Sequence, residues 1–335
     1  MSNIAVIGSG TWGTALAQVA DDNGHKVIIY GHNPSQIEDI NKNHKNSFYF
    51  GDEITLSPSL VGTTNLAEAV KDADIILISV PSAALRSVLN EIVEVLDHPA
   101  IFINTAKGFD TEKNQRLSFV FKGVIPPEKL KGFVSLIGPS HAEEVIVRDM
   151  TCICAVSLDE KAAKFVAETF SNSYFRVYLN NDEVGSEIGV AMKNAIALAS
   201  GILEGLNYGD NARAALCTRG LAEIVRFGVS QGGRPETYLG LTGLGDLVVT
   251  CYSFHSRNFT AGLQIGKDDG AKHFMETNTK TVEGIRTIKV IHDLAEQEYI
   301  ELPIINALYE VVYRYKKPSE VIPTLFKRSI KVEGK

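Results

Sequence analysis

The sequence is poor in cysteine and in positive charge. Four cysteines stand in 335 residues, and they form neither a C-x-x-C pair nor a zinc-ligand spacing. We therefore predict buried thiols in a reducing compartment and no metal site. Lys and Arg number 33 against 40 Asp and Glu, a net charge of -7. This balance argues against general binding of nucleic acid or of anionic membranes, yet it leaves room for a local cationic pocket that takes a small anion.

The sequence also lacks an apolar run long enough to cross a bilayer. The longest such run, residues 188–203, is interrupted by Lys193 and Asn194 and is rich in small residues, which predicts a helix packed inside the protein. The first residues have neither the basic segment nor the cleavage site of a signal peptide. We therefore predict a cytoplasmic protein with no membrane insertion.

The N-terminal stretch carries the clearest pattern. An apolar strand at residues 4–7 leads into Gly-Ser-Gly-Thr-Trp-Gly and a helix of small residues, and a second strand at 26–30 completes a β-α-β unit. Gly8 would permit a tight turn, Gly10 would let the backbone approach a pyrophosphate, and Gly13 would let the helix pack on the strand. We interpret this stretch as a dinucleotide site; the alternative is a glycine turn in an ordinary α/β unit.

The choice between NAD and NADP stays open at this stage. An acidic residue about 20 positions past the glycines would accept from the ribose hydroxyls of NAD, but Gly31-His32-Asn33-Pro34 stands there instead. No arginine is at hand for a 2′-phosphate, although His32 could help; the alternative is a solvated loop residue. We predict NAD or NADP as the cofactor, with a lean towards NADP.

Alternating strand and helix patterns predict the rest of the first domain. Residues 34–65 indicate a helix followed by a meandering loop, and helical patterns occur around 84–95 and 161–170. Apolar, β-rich runs typical of parallel strands that are buried on both faces occupy residues 75–80, 100–104, 133–137 and 152–156, and a last strand pattern covers 175–178.

Beyond residue 180 the patterns are helical. Helices are predicted at 185–206, 212–231, 235–241, 257–265, 281–298 and 302–315. We predict an α/β protein in which a Rossmann-like, doubly wound parallel sheet (residues 1–180) precedes an all-α substrate domain (181–335). The polar segment 266–280 is predicted to be a mobile loop or lid.

Polar residues follow three predicted strands: Val80-Pro81-Ser82, Thr105-Ala106-Lys107-Gly108 and Gly138-Pro139-Ser140-His141. Ligands of open α/β sheets bind outside the carboxyl ends of the strands, so these residues should gather beside the glycine loop. Lys107 is the most informative of them, with an ordinary surface cation as the alternative.

The helical half offers three clusters. Lys193 and Asn194 lie in the apolar helix, where a lysine must snorkel, pair or face a polar cleft, and a desolvated lysine suits acid/base catalysis. Asp246 could pair with that lysine or cap a helix. The third cluster is Ser256-Arg257-Asn258, a phosphate clamp or an exposed helix start. Together with Lys107 these residues predict a dehydrogenase that acts on a small anionic hydroxy or keto compound.

On these and neighbouring motifs the chain resembles the bacterial NAD(P)-dependent glycerol-3-phosphate dehydrogenases along nearly its whole length. The matching segments are residues 8–17, 105–108, 138–142, 191–195, 211–213, 218–223, 243–247, 256–258 and 282–284. The Gly-Leu-Gly-Asp and Ser-Arg-Asn pair after the lysine motif is the most specific of them.

The resemblance implies reversible reduction of dihydroxyacetone phosphate to sn-glycerol 3-phosphate for phospholipid synthesis. It implies Lys193 as the general acid/base, with Lys107 and Asp246 beside it in the catalytic set. It implies substrate contacts at Lys107, Gly138, Ser140, Lys193, Asp246, Ser256, Arg257 and Asn258. Asn194, by its place beside the lysine, could orient the substrate or position that lysine by hydrogen bonding. Cofactor contacts would lie at Gly8, Gly10, Thr11, Trp12, Gly13, His32, Lys107, Ala142, Arg257, Thr281 and Glu283. Helical domains of this kind often dimerise, so a homodimer is expected.

Two rival interpretations stay open here. A related two-domain β-hydroxyacid or 2-ketoacid reductase, of the ketopantoate or 6-phosphogluconate type, would share the Rossmann domain, the helical domain and the lysine. A non-catalytic dinucleotide sensor would keep the glycine loop yet need neither Lys193, Asp246 nor Arg257.

Overall fold

Strand β1 (Asn3–Ile7) lies inside an eight-stranded sheet of order β3-β2-β1-β4-β5-β6-β7-β8. The computed structural model describes residues 1–330 and residue 332, and it divides into two units, Met1–Glu187 and Ile188–Lys335. The other strands are β2 (Lys26–Tyr30), β3 (Val61–Thr63), β4 (Ile75–Ile78), β5 (Ala100–Asn104), β6 (Leu130–Ile137), β7 (Thr151–Val156) and β8 (Phe175–Asn180).

The whole sheet belongs to the first unit, and its first six strands are parallel. Their order, 3-2-1-4-5-6, is that of the doubly wound dinucleotide-binding folds. The helices of this unit are α1 (Thr11–Asp22), α2 (Pro34–Asn43), α3 (Ser47–Phe50), α4 (Leu66–Val70), α5 (Leu85–Val95), α6 (Leu117–Val124), α7 (Ala142–Val145) and α8 (Glu160–Phe170). The predicted fold of the first half is confirmed.

Both faces of the sheet are covered because successive strand residues point to opposite sides. In β1, Ile4 and Val6 join a core built with α1, α2, α7 and α8, whereas Ala5 and Ile7 join a core built with α4, α5 and α6. Burial on two faces explains why the strands read as continuous apolar runs and not as alternating ones.

The direction predicted for residues 152–156 is wrong. Strand β7 runs antiparallel to β6, and only β8 lies parallel to it. The connection from Ile137 to Thr151 contains the single-turn helix α7, and it does not return the chain to the opposite edge of the sheet. An apolar run reports burial on both faces, which carries no information about strand direction.

Two further expectations need correction. The stretch 34–65 contains the strand β3 and two helices, where one helix and a loop were expected. The segment 266–280, expected as a loop, includes helix α13 (Lys272–Thr277). Its predicted mobility stays a prediction.

The second unit is helical throughout its described part. Helix α9 (Glu183–Gly205) begins in the first unit and continues into the second, followed by α10 (Asp210–Ser230), a 3-10 turn (Pro235–Leu239), a π-helical turn (Leu241–Gly245), α11 (Asp246–Cys251), α12 (Arg257–Lys267), α13, α14 (Glu283–Gln297), α15 (Pro303–Val312) and α16 (Pro318–Phe326). The predicted domain border at 180/181 falls a few residues before the division at 187/188. Residues 331 and 333–335 of the predicted second domain lie outside the described residues.

Small residues in α9 serve close helix packing. A Cβ on Gly201 would lie 2.0 Å from the carbonyl oxygen of Phe259, and one on Gly262 would lie 1.9 Å from that of Leu198. Glycine at these two positions lets the backbones of α9 and α12 approach each other directly. This contact explains why α9 has a run of small apolar residues, a pattern that differs from that of an amphipathic surface helix. Among the described residues, no helix is both long and apolar enough to span a bilayer.

Candidate active site

The glycine loop has the geometry that the sequence predicts. Gly8 has φ +115°, and a Cβ there would lie 2.4 Å from the carbonyl oxygen of Ser79 at the end of the neighbouring strand. A Cβ on Gly13 would lie 2.0 Å from the carbonyl oxygen of Gly8, so α1 can pack this close only with glycine. At Gly10 a Cβ would meet no atom within 4 Å, which leaves the backbone open to a ligand.

The N-terminus of α1 is suited to an anion. Its cap residue Gly10 brings no side chain, and the first turn, which contains Thr11 and Trp12, has no acidic residue. The amide groups of a helix's first turn lack intrahelical partners and carry the positive end of the helix dipole. The loop and helix therefore fit the pyrophosphate of a dinucleotide.

Other predicted residues of the first unit lie at the same, carboxyl edge of the sheet. Lys107, just after β5, donates from Nζ to the carbonyl oxygen of Gly138 at 2.8 Å, and Ser140 Oγ donates to that same oxygen at 3.2 Å. Ala142 begins α7 and is buried, while His32 is exposed just after β2. The structure thus gathers Lys107, Gly138 and Ser140 at one carbonyl.

The second unit holds a buried ion pair. Lys193 lies in the middle of α9 with 5% of its surface exposed, and its Nζ donates to Asp246 Oδ1 at 3.0 Å. Asp246 is 1% exposed. Isolated charges are not tolerated at such depth, and the pairing supplies the reason why this lysine stands in an apolar helix. Of the three alternatives for this lysine, which were to snorkel, to pair or to face a polar cleft, the structure shows a pair.

A third side chain, absent from the predicted set, completes this cluster. Thr250 Oγ1 accepts from Lys193 Nζ at 2.6 Å and donates to the backbone carbonyl of Asp246 at 2.6 Å. Thr250 follows Asp246 by four residues on α11, so both face the same side of the helix. That spacing is the signal by which the sequence alone could have identified it. Asp246 is the first residue of α11 and Gly245 its cap, so the N-cap alternative for Asp246 is wrong.

Hydrogen bonds tie three more motifs together next to Lys193. Asn258 Nδ2 donates to Asn194 Oδ1 at 3.0 Å, and Asn258 Oδ1 accepts from the amide of Gly284 at 2.8 Å. A Cβ on Gly284 would lie 2.5 Å from the carbonyl oxygen of Asn194. The three helices α9, α12 and α14 are thereby held in one arrangement, which accounts for the Val-Glu-Gly segment.

The remaining predicted residues lie at helix starts. Ser256 is the N-cap of α12, and its Oγ accepts from the amide of Phe259 at 3.2 Å. Arg257 is the first residue of that helix and is exposed. Glu283 begins α14, and Thr281 is exposed two residues before it.

The Cys251 thiol lies near the ion pair and has a raised pKa. A hydrogen bond with Cys217 and burial both raise the pKa of the Cys251 thiol well above its usual value. Cys154 and Cys217 are buried as well, but Cys152 is only half-buried, against the expectation that all four would be inside. In the described part of the chain, no group of three or more His, Cys, Asp or Glu side chains could hold a metal ion.

Comparison with known proteins agrees with this geometry. Residues 3–163 match the model of the NAD-dependent glycerol-3-phosphate dehydrogenase N-terminus, and residues 182–323 match that of the C-terminus. The chain belongs to the NAD-dependent glycerol-3-phosphate dehydrogenase family.

Members of the family are similar to this chain over its full length. It is 45% identical to the glycerol-3-phosphate dehydrogenase [NAD(P)+] of Lactiplantibacillus plantarum, covering 99% of both chains. It is 46% identical to that of Bacillus cereus, covering 99% of this chain and 98% of the relative. The crystal structure of glycerol-3-phosphate dehydrogenase from Coxiella burnetii superimposes with a TM-score of 0.89 at 31% identity, covering 98% and 99% of the two chains. The family predicted from the motifs is therefore confirmed.

Proposed function

We propose that this glycerol-3-phosphate dehydrogenase family member catalyses the reversible, NAD(P)-dependent interconversion of dihydroxyacetone phosphate and sn-glycerol 3-phosphate, and so supplies phospholipid synthesis. The observation that carries the proposal is the buried Lys193–Asp246 pair at 3.0 Å, in a chain whose two halves both match this family. A structural core has little use for such a pair, since replacing a buried ion pair by apolar residues is often neutral or stabilising.

In this proposal Lys193 is the general acid. Bound NAD(P)H supplies the hydride for the substrate carbonyl. The Nζ of Lys193 gives a proton to the carbonyl oxygen in the reducing direction and takes it back in the oxidising direction. Asp246 stabilises the ammonium form, and Thr250, which accepts at 2.6 Å, fixes the direction of Nζ. Lys107 is assigned to stabilise the negative charge that develops on the substrate during the reaction.

The substrate phosphate calls for a planar cation and further donors. Arg257 is exposed at the start of α12, with Ser256 and Asn258 on either side. A guanidinium binds phosphate oxygens with two parallel hydrogen bonds, which favours arginine over lysine for this task. We assign the phosphate to this group, and we assign further substrate contacts to Gly138, Ser140 and Asn194.

The dinucleotide is assigned to the glycine loop and to His32, Lys107, Ala142, Arg257, Thr281 and Glu283. His32 is exposed at the end of β2, where the ribose of the adenosine half lies in this fold. Its imidazole would tolerate or bind a 2′-phosphate better than a carboxylate would, and this supports a preference for NADP. A homodimer formed through the helical unit and a cytoplasmic location are further parts of the proposal.

Membership of the family disfavours both rivals. A ketopantoate-type reductase acts on a substrate without a phosphate and would not need Ser256, Arg257 and Asn258 together. A dinucleotide sensor would not need a buried Lys193–Asp246 pair.

The test is the loss of absorbance at about 340 nm, where reduced nicotinamide absorbs, with dihydroxyacetone phosphate and either NADH or NADPH. We expect oxidation that depends on this substrate, with the lower KM for NADPH. Ketopantoate and phosphate-free dihydroxyacetone serve as comparison substrates. Turnover of ketopantoate alone would identify the related reductase, and no turnover by folded protein that still binds dinucleotide would identify the sensor.

A further inference from the structure

A buried amide pair lies directly behind the glycine loop. Gln36 on α2 and Asn46, the cap residue of α3, are 8% and 1% exposed. They bond to each other, with Gln36 Nε2 donating to Asn46 Oδ1 at 2.9 Å. Neither residue has a part in the function proposed above, and neither lies near the glycines in sequence.

Both amides converge on one backbone atom, the carbonyl oxygen of Ser9. Gln36 Nε2 donates to it at 2.5 Å and Asn46 Nδ2 at 3.0 Å. Three more contacts complete the cluster: Ser9 Oγ donates to Gln36 Oε1 at 2.9 Å, Asn46 Nδ2 donates to Thr14 Oγ1 at 2.8 Å, and Thr14 Oγ1 donates to the Ser9 carbonyl oxygen at 3.4 Å. The Ser9 carbonyl is thus held inward by Thr14 of α1 itself and by two side-chain donors from outside α1, Gln36 and Asn46.

The inward position of the Ser9 carbonyl also determines where the N–H of the same peptide, that of Gly10, points. A trans peptide is planar, so its N–H points away from its C=O. With the Ser9 carbonyl fixed inward, the amide of Gly10 points outward, at the position where a Cβ would meet no atom within 4 Å. Rotation of this peptide would instead turn the partially negative carbonyl oxygen towards the negatively charged phosphates, which would weaken binding.

We propose that Gln36 and Asn46 are positioning residues for the dinucleotide, holding the Ser9–Gly10 peptide so that its N–H faces the pyrophosphate. The inference rests on the proposed function, since it assumes that NAD(P) binds at this loop. Glycine-rich turns are conformationally permissive, and a loop that must bind an anion needs its freedom removed by neighbours. Gly31 belongs to the same packing, because a Cβ there would lie 2.2 Å from Ser9 Oγ.

The test compares Asn46→Leu with the matched control Asn41→Leu. Asn41 is also an amide that bonds to backbone, accepting from the Gly62 amide at 2.7 Å and donating to the Gly62 carbonyl at 2.9 Å, but it holds β3 and not the glycine loop. Asn46→Leu loses three side-chain hydrogen bonds and Asn41→Leu loses two, so both should lose some stability. Only Asn46→Leu should weaken dinucleotide binding.

The readout besides activity is fluorescence. The chain has a single tryptophan, Trp12, in the first turn of α1 beside the loop, so quenching of its emission by added NADPH reports binding directly. We expect the Kd and the KM for NADPH to rise about tenfold in Asn46→Leu, which is the scale of one lost hydrogen bond. The kcat at saturating NADPH and the KM for dihydroxyacetone phosphate should stay near their wild-type values.

A second variant, Gln36→Met, keeps the length of the side chain and adds no buried charge. If Asn46→Leu does not fold, the Kd of Gln36→Met for NADPH tests the inference in its place. The inference is overturned if a folded Asn46→Leu or Gln36→Met variant binds NADPH with wild-type affinity. It is also overturned if Asn41→Leu weakens NADPH binding as much as Asn46→Leu does, because the amides would then have a structural role only. If the wild-type protein binds neither NADPH nor NADH, the proposed function fails, and the inference fails with it.

Discussion

At the scale of single residues, the decisive feature is a lysine that the apolar helix α9 would not otherwise tolerate. Its burial, its pairing with Asp246 and its contact with Thr250 are consistent with a proton donor held in one direction. The sequence was sufficient to single out Lys193 and Asp246, because a charge in an apolar run needs a reason. For Thr250 the only signal in the sequence is its spacing of four residues from Asp246 on α11, which has no meaning until Asp246 itself has been singled out.

Removal of the Lys193 ammonium should stop the proton transfer and leave NADPH binding unchanged. We expect Lys193→Ala to lower kcat by about two to four powers of ten, the usual contribution of general acid/base catalysis. Lys289→Ala is the control, because Lys289 pairs with Asp293 on the surface of α14 at 2.7 Å. Steady-state kinetics with saturating substrates check both variants. Near-normal turnover in Lys193→Ala would remove this residue from the acid/base role.

Arg257 should discriminate between phosphorylated and free substrate. We expect Arg257→Ala to raise the KM for dihydroxyacetone phosphate by about tenfold to a hundredfold, the scale of a charged hydrogen bond, and to change that for free dihydroxyacetone far less. Arg257→Lys keeps the charge but not the planar guanidinium, so its KM for dihydroxyacetone phosphate should lie between that of the wild type and that of Arg257→Ala. The comparison of both substrates in all three proteins is the measurement. Equal effects on the two substrates would contradict a phosphate clamp.

At the scale of elements, the start of α15 is held by an unusual cap. Pro303 occupies the first helical position, and Leu302 offers no side-chain acceptor. Glu223 of α10 replaces it: Oε1 accepts from the amide of Ile304 at 2.7 Å and Oε2 from that of Ile305 at 3.2 Å. The Thr-Arg-Gly-Leu-Ala-Glu segment, matched to the family in sequence, therefore has at its last residue a structural task that the sequence alone did not indicate.

This carboxyl should make stability depend on pH. Burial raises the pKa of Glu223 from 4.5 to about 7, although both amide donors lower it. A raised pKa means that the folded protein prefers the protonated form, so the stabilisation is complete below about pH 4.5 and is lost as the pH rises through about 7. The shift corresponds to about 3 kcal/mol in the free energy of unfolding. Urea unfolding at about pH 5 and about pH 8 should show this loss in the wild-type protein.

Glu223→Gln isolates the effect, because the amide cannot ionise and every other titrating group is common to both proteins. We expect the free energy of unfolding of this variant to fall less between the two pH values than that of the wild type. Parallel pH profiles for the two proteins would show that Glu223 does not titrate in this range.

The strands show which structural properties a sequence pattern can predict and which it cannot. The observed bounds of strand β5 agree with the predicted ones, because five buried residues in a row, four of them apolar, leave little choice. Strand β3 has only three residues, one of them Gly62, and was missed. Strand β7 was found with the wrong direction. Length and burial are local properties that a pattern records, whereas direction depends on how the chain returns to the sheet.

At the scale of the whole molecule, the two halves differ in what the sequence could reveal. The glycine loop is contiguous, so its geometry at Gly8, Gly10 and Gly13 could be predicted from one stretch. The amides that hold it come from Gln36 and Asn46, 27 and 37 residues away from Ser9. The hydrogen bonds of Lys193 join it to residues 53 and 57 positions away, Asp246 and Thr250. Such partners share no local pattern, and only the folded chain identifies them.

The dinucleotide and the proton transfer are assigned to different residues. A variant of the intact protein should therefore be able to lose the proton transfer and still bind NADPH. NADPH at about 100 times its Kd should raise the free energy of unfolding by about 2.7 kcal/mol, provided that it binds the folded state alone. Lys193→Ala should gain the same amount at the same multiple of its own Kd, and that Kd should match the wild-type value. Chemical denaturation with and without NADPH, followed by Trp12 emission and by circular dichroism, provides both numbers. A Lys193→Ala protein that NADPH no longer stabilises would mean that this lysine holds the dinucleotide, and its loss of turnover could then not be read as the loss of a proton donor.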